Sequence, residues 1–167
     1  MHAPDHLRIG TRASALALVQ ARQIHDALQA RGRTVAIETI TTRGDAEQQD
    51  PVAALGGDGV FVREIERALL EGRIDVAVHS LKDLPTAETP GLVVACVPPR
   101  ATPFDVLVGR TAATLAGLPP GAVVGTSSIR RVVQVRGLRP DLAVRPIRGN
   151  VDTRLRRLDA GEYDALV

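Results

Sequence analysis

Four short polar clusters, each placed directly after an apolar segment, carry the groups in this sequence that could do chemistry. They are Thr11-Arg12-Ala13-Ser14, His79-Ser80-Leu81-Lys82-Asp83, Gly125-Thr126-Ser127-Ser128-Ile129-Arg130-Arg131, and Arg148-Gly149-Asn150 with Arg154 following. Guanidinium forks pair bidentately with carboxylate or phosphate. Residues 126–128 open a helical pattern, where free backbone N–H groups and hydroxyls also attract an anion. Each cluster alone has an ordinary explanation, since serines at a helix start commonly serve as caps and paired arginines are commonly solvated. Together, at the ends of successive strands, they describe a cleft lined with anion-binding groups, because open parallel sheets bind ligands beyond the carboxyl ends of their strands.

Asp83 does not fit that pattern. A carboxylate among Lys82 and several arginines repels an anion, so it needs another task. One reading is a turn residue paired with Lys82. The other is a carboxylate that stabilises a cationic intermediate or handles a proton, kept ionised by the surrounding cations. Spacing alone leaves both open. His2, His6 and His25 lack metal-ligand spacing, and His79 reads as a hydrogen-bonded structural histidine. Cys96 sits in the apolar run LVVACV, which predicts inert packing within a strand. Arg43-Gly44-Asp45 spells an adhesion tripeptide for which an intracellular chain offers no partner.

The elements that must position these groups alternate. Residues 7–9, 35–41, 75–78 and 92–97 read as strands. A helix capped by Ser14 runs through LALVQARQIHDAL, and 61–71 is helical, ending at Gly72. The Gly-rich stretch 43–59 reads as a long, mobile loop. Pro98-Pro99 is the best boundary. After it come strands at 105–108, 122–124, 143–147 and 163–167, with helices at 128–136 and 151–158. The pattern predicts an α/β fold of two lobes, 1–98 and 99–167, each a mostly parallel sheet flanked by helices. The last strand lacks a covering helix, so the second lobe reads as incomplete.

Composition narrows the classes further. At 44% hydrophobic and 24% charged, the 167 residues are rich enough in apolar side chains for a packed core. With one cysteine, neither a disulfide framework nor a multi-cysteine metal site is available. No apolar run or leader-like start suggests a membrane or export, which predicts a soluble cytoplasmic protein. The net charge is only +2, yet of the 21 basic residues Lys82 is the single lysine. Aromatic side chains that could stack on bases are few, so nucleic acid is a weak candidate.

The motifs HSLKDLP, GTSSIRR followed by RPDL, RGNVDTRL, TRGD and LRIGTRASALALVQA resemble those of the porphobilinogen deaminase (hydroxymethylbilane synthase) family, in that family's order, from about Leu7 to Val167. The resemblance implies a three-domain transferase of tetrapyrrole biosynthesis. Its first two domains would resemble the lobes of a type-II periplasmic binding protein. The enzyme would condense four porphobilinogen molecules, with loss of ammonia, into hydroxymethylbilane. Growth would occur on a dipyrromethane cofactor, held by thioether to a cysteine of a third domain that these residues do not include.

By motif match, Asp83 would be the catalytic carboxylate. Arg12, Ser14, Ser80, Lys82, Thr126, Ser127, Ser128, Arg130, Arg131, Arg148, Asn150 and Arg154 would hold substrate or cofactor carboxylates. Asp58 and Phe61 would belong to a lid, where Asp58 replaces the lysine usual in the family's GGKG. The resemblance further implies a monomer without nucleic-acid or membrane partners. The competing reading is a non-catalytic two-lobe receptor for a small carboxylate or phosphate, against which Asp83 is the discriminating residue.

Overall fold

Residues 6–42, 44 and 59–167 are described by the structure, a computed structural model. Its contacts divide the chain into two units between Val97 and Pro98. In the first unit, the alternating HLRIGT forms β1 (His6–Thr11), and Ser14 opens α1 (Ala15–Gln29). There follow β2 (Thr34–Thr39), α2 (Arg63–Leu70), β3 (Val76–Ala77) and a 3-10 turn, Leu81–Asp83. The sheet has the order β2-β1-β3 with β1 parallel to both neighbours, Ile9 lying opposite Ile37 and Val76.

Side chains alternate across β1. Ile9 packs with Ala21, Ile24 and Leu28 of α1. Gly10 points the other way, and a side chain there would collide with Ile74 and crowd Ile40. That space belongs to a second cluster, in which Ile65 and Ala68 of α2 pack on Ile74. At the strand entrances, Arg8 donates to both Asp75 carboxylate oxygens at 3.0 Å and to the Gly72 carbonyl at 2.7 Å. This pins the start of β3 to β1 and so fixes where the chain leaves β3.

The second unit contains β4 (Val108–Gly109), β5 (Val123–Gly125), α3 (Ile129–Leu138), β6 (Ala143–Arg145), α4 (Val151–Asp159) and β7 (Ala165–Leu166). Its sheet has the order β4-β7-β5-β6; β5 is parallel to β6 and β7, while β4 runs antiparallel to β7. Val124, Val135 and Leu142 centre one apolar cluster. Ile147, Leu158, Tyr163 and Leu166 form the other. Arg139 ties the connection before β5 in place, donating to the carbonyls of Leu115, Ala116 and Leu118.

The α/β class and mainly parallel sheets agree with the sequence pattern, but two expected strands do not. Residues 92–97 form no strand, and Val93, Val94 and Val97 are 86%, 60% and 66% exposed. The expected 105–108 strand is reduced to the antiparallel pair at Val108–Gly109. An apolar run becomes a strand only where a neighbour completes its hydrogen bonds, and no described strand pairs with 92–97. Cys96 is therefore exposed, not packed as its apolar neighbours suggested. Most of the 43–59 stretch, including Asp58 and two residues of the Arg43-Gly44-Asp45 tripeptide, lies outside the described residues.

Ile65 is fully buried where α2 meets the sheet. Ile65→Ala should lower unfolding free energy by about 2–5 kcal/mol, read as a lower urea midpoint; a loss under about 0.5 kcal/mol would contradict this packing.

Candidate functional site

In the first unit the candidate groups gather where β1 and β3 end. Arg12 follows β1 directly, and its Nη1 lies 4.0 Å from Asp83 Oδ2, with both side chains about four-fifths buried (20% and 23% exposed). The guanidinium also lies 4.2 Å over the Phe61 ring. The ring face and the carboxylate both attract the cation. Phe61, expected in a lid, is thus packed on a site arginine, and its ring fills the space that a side chain at Gly44 would need.

Two of the expected anion ligands are already engaged. Ser14 accepts from the Ala17 N–H as the N-cap of α1. Ser80 donates to Gln20 Oε1 at 2.8 Å. Lys82 is exposed. The Asp83 N–H donates to the Ser80 carbonyl at 2.9 Å, which closes the turn presenting the carboxylate.

His79 enters this turn half-buried, and its Nε2 has no hydrogen-bond partner. That nitrogen lacks the hydrogen bond expected of the structural histidine that the sequence suggested. Burial pushes its pKa below the ordinary 6.5; Glu66 and Asp83 pull it up, and Arg12 lowers it. The neutral imidazole is therefore the favoured form beside Asp83.

In the second unit, parallel pairing of β5 with β6 places their ends side by side. Thr126 is buried, its N–H donating to Arg145 O at 3.0 Å and its hydroxyl accepting from the Ser128 N–H at 3.3 Å. Ser127 Oγ donates to Ile147 O at 2.6 Å and accepts from Ile147 N at 3.0 Å, stitching the two strand ends together. Ser128 sits at the N-cap of α3 but makes no side-chain cap bond, so its hydroxyl is not consumed by the helix. Asn150 caps α4 through Thr153 N at 2.9 Å.

Four arginines accompany these ends. Arg130 is exposed on the first turn of α3. Arg131 pairs with Asp105 at 2.5 Å and donates to Val167 O at 3.1 Å. Arg154 donates to Gly149 O at 2.9 Å. Arg148 Nη1 is buried with no hydrogen-bond partner. Burial lowers the Arg154 pKa, and the charges of Arg131 and Arg148 lower it further. Three guanidiniums thus lie within mutual repulsion, one with a buried N–H that lacks a partner, an arrangement whose chemistry suits acidic groups.

The sequence missed Gln20, which fixes Ser80, and Asp105, which pairs Arg131. Neither partnership leaves a local signal, because each joins residues distant in the chain. A polar residue beside buried Ala21 in an amphipathic helix was the one available hint for Gln20.

Residues 7–167 match the family profile described as porphobilinogen deaminase, dipyromethane cofactor binding domain. Among curated relatives, the porphobilinogen deaminase of Roseiflexus castenholzii is 58% identical over 165 residues, covering 98% of this chain and 54% of that protein. That of Acidothermus cellulolyticus is 54% identical over 161 residues, covering 96% and 49%. A probable porphobilinogen deaminase of Hyperthermus butylicus is 49% identical over 165 residues, covering 96% and 54%. The chain thus spans about half the length of these relatives. Among solved structures, an ancestral arginine-binding protein bound to glutamine aligns at TM-score 0.39 and 18% identity, over 99% of this chain and 69% of that one.

Two measurements test the geometry. Ser127→Ala leaves Ile147 N without its acceptor and should cost about 1–3 kcal/mol of stability, with faster amide exchange at 147–150; unchanged exchange would refute the stitch. The unfolded chain protonates its His79 near 6.5, whereas the folded chain does so only at lower pH. Unfolding therefore takes up a proton below about pH 6.5, and stability falls as pH drops through that point. His79→Gln should remove this part of the decline in urea titrations between about pH 7 and about pH 5.5; identical slopes would contradict a depressed His79.

Proposed function

The chain belongs to the porphobilinogen deaminase family, and on that premise we propose that it forms the substrate-handling part of a transferase that condenses four porphobilinogen molecules, with loss of ammonia, into hydroxymethylbilane for tetrapyrrole biosynthesis. The observation that carries the reading is Asp83, a sheltered carboxylate beside Arg12 in a chain otherwise rich in anion-holding groups. A receptor for anions has no use for it. A catalyst does, because porphobilinogen is an anion through its acetate and propionate groups but gains positive charge on the pyrrole as ammonia departs.

Asp83 would stabilise that developing charge from close range, where partial burial strengthens the interaction. Arg12, stacked on Phe61, pairs with the carboxylate and limits where it can move. Gln20 positions Ser80, and the Ser80 carbonyl anchors the turn. In the second unit, Ser128, Arg130, Arg131, Arg148 and Arg154 would receive carboxylates. Thr126, Ser127 and Asn150 shape the backbone that presents these groups, as Ser14 does in the first unit.

The family's dipyrromethane cofactor is itself a polyanion, and the orphaned Arg148 N–H beside Arg131 and Arg154 fits such a group. When bound, the cofactor supplies the pyrrole end from which the chain grows. Arg131, Arg148 and Arg154 would hold its carboxylates by charge-assisted hydrogen bonds. The thioether anchor is assigned to the third domain that the family resemblance implies, not to Cys96. No helix among the described residues is long and apolar enough to cross a membrane. A cytoplasmic monomer acting on small molecules is the setting that accompanies this function.

In the full-length protein, Asp83→Asn should reduce kcat about 100- to 1000-fold with an unchanged melting temperature. Near-normal turnover would overturn the assignment. Arg148→Leu should instead raise KM for porphobilinogen, as expected for lost carboxylate binding, and an unchanged KM would remove Arg148 from the site.

A further inference from the structure

The arginine cluster of the second unit is not left bare. Among the described residues, Asp105 is the one side-chain carboxylate paired with it, 2.5 Å from Arg131 Nη2. The hydrogen bond from Arg131 holds the Asp105 carboxyl below its ordinary range, and the charges of Arg131 and Arg130 add to that. Yet this pair is not built like a permanent structural link. The Asp105 side chain is 49% exposed, and residues 100–106 are exposed throughout, in neither helix nor strand. Arg131, by contrast, is also held by Val167 O. One partner is anchored to the unit; the other rides on a segment with little to lose by moving.

We propose that Asp105 is a resident counter-ion of the anion site: it occupies Arg131 when the site is empty, gives way to an incoming carboxylate, and thereby sets how tightly the site holds anions. The inference rests on reading Arg131, Arg148 and Arg154 as an anion site. An exposed ion pair contributes little, whereas a ligand carboxylate can also satisfy the buried Arg148 N–H, whose lack of a partner is costly. The exchange is therefore favourable, and the difference in worth between the two pairings sets affinity. Asp105 acts on ligand through Arg131, which makes it a positioning residue for affinity and not a catalytic one.

The test uses full-length protein freed of dipyrromethane, because the bound cofactor would itself occupy Arg131, and succinate as a carboxylate probe. Asp105→Asn keeps the side-chain shape and removes the charge. The dissociation constant for succinate, measured calorimetrically, should fall about two- to fivefold, the span of an exposed ion pair. Asp105→Glu should restore the wild-type constant. In an Arg131→Gln background, Asp105→Asn should leave the succinate constant unchanged, because the coupling belongs to the pair. Unchanged or weaker succinate binding by Asp105→Asn would overturn the proposal and make Asp105 an orienting partner of Arg131. An equal gain in both backgrounds would overturn it in favour of a general charge effect. If no form binds succinate, the anion-site reading fails as well, whether or not Asp83→Asn abolishes turnover.

Discussion

Like charges crowded at a strand end impose the constraint that organises the second unit. Arg131, Arg148 and Arg154 lie close enough for two of them to lower the basicity of the third, and burial deepens the effect. Such a cluster needs rigid backbone beneath it, or the side chains would spread into solvent. Parallel β5 and β6 provide the base, and the Ser127–Ile147 pair of hydrogen bonds joins their ends where the arginines emerge. Tyr163 reinforces the same corner, its hydroxyl donating to Pro146 O at 2.8 Å from within the apolar cluster. Glycine also has a place here: Gly149 adopts φ +101, a left-handed conformation that turns the chain between Arg148 and the Asn150 cap.

The first unit handles charge by a different route. It holds one carboxylate, Asp83, against one guanidinium, with an aromatic face and a largely neutral imidazole around them. Under the proposed function, the second unit holds anionic groups and Asp83 of the first stabilises positive charge.

Several hydroxyl and amide groups that resembled ligands in the sequence are consumed by the fold. Ser14 and Asn150 cap helices, Ser80 is held by Gln20, and Ser127 bonds the backbone at both of its hydrogen-bonding sites. Their bonds brace the backbone that carries the arginines and the aspartate, whereas the half-buried Ser128 at the cap of α3 makes no cap bond. Positioning groups and ligands share the same chemistry, so composition alone cannot separate them.

The amino-acid sequence by itself determined the alternation of strands and helices and the family motifs. These depend on local periodicity and on residues adjacent in the chain. It misjudged 92–97, whose apolar character implied a strand, because strand formation needs a pairing edge that no local pattern encodes. Tertiary structure alone decided that Arg12 meets both Asp83 and Phe61, that Gln20 anchors Ser80, and that Asp105 meets Arg131. It alone left an Arg148 N–H buried and unpaired. Each of these outcomes joins residues far apart in sequence, and only the packing of parallel strands brings such residues within hydrogen-bond reach.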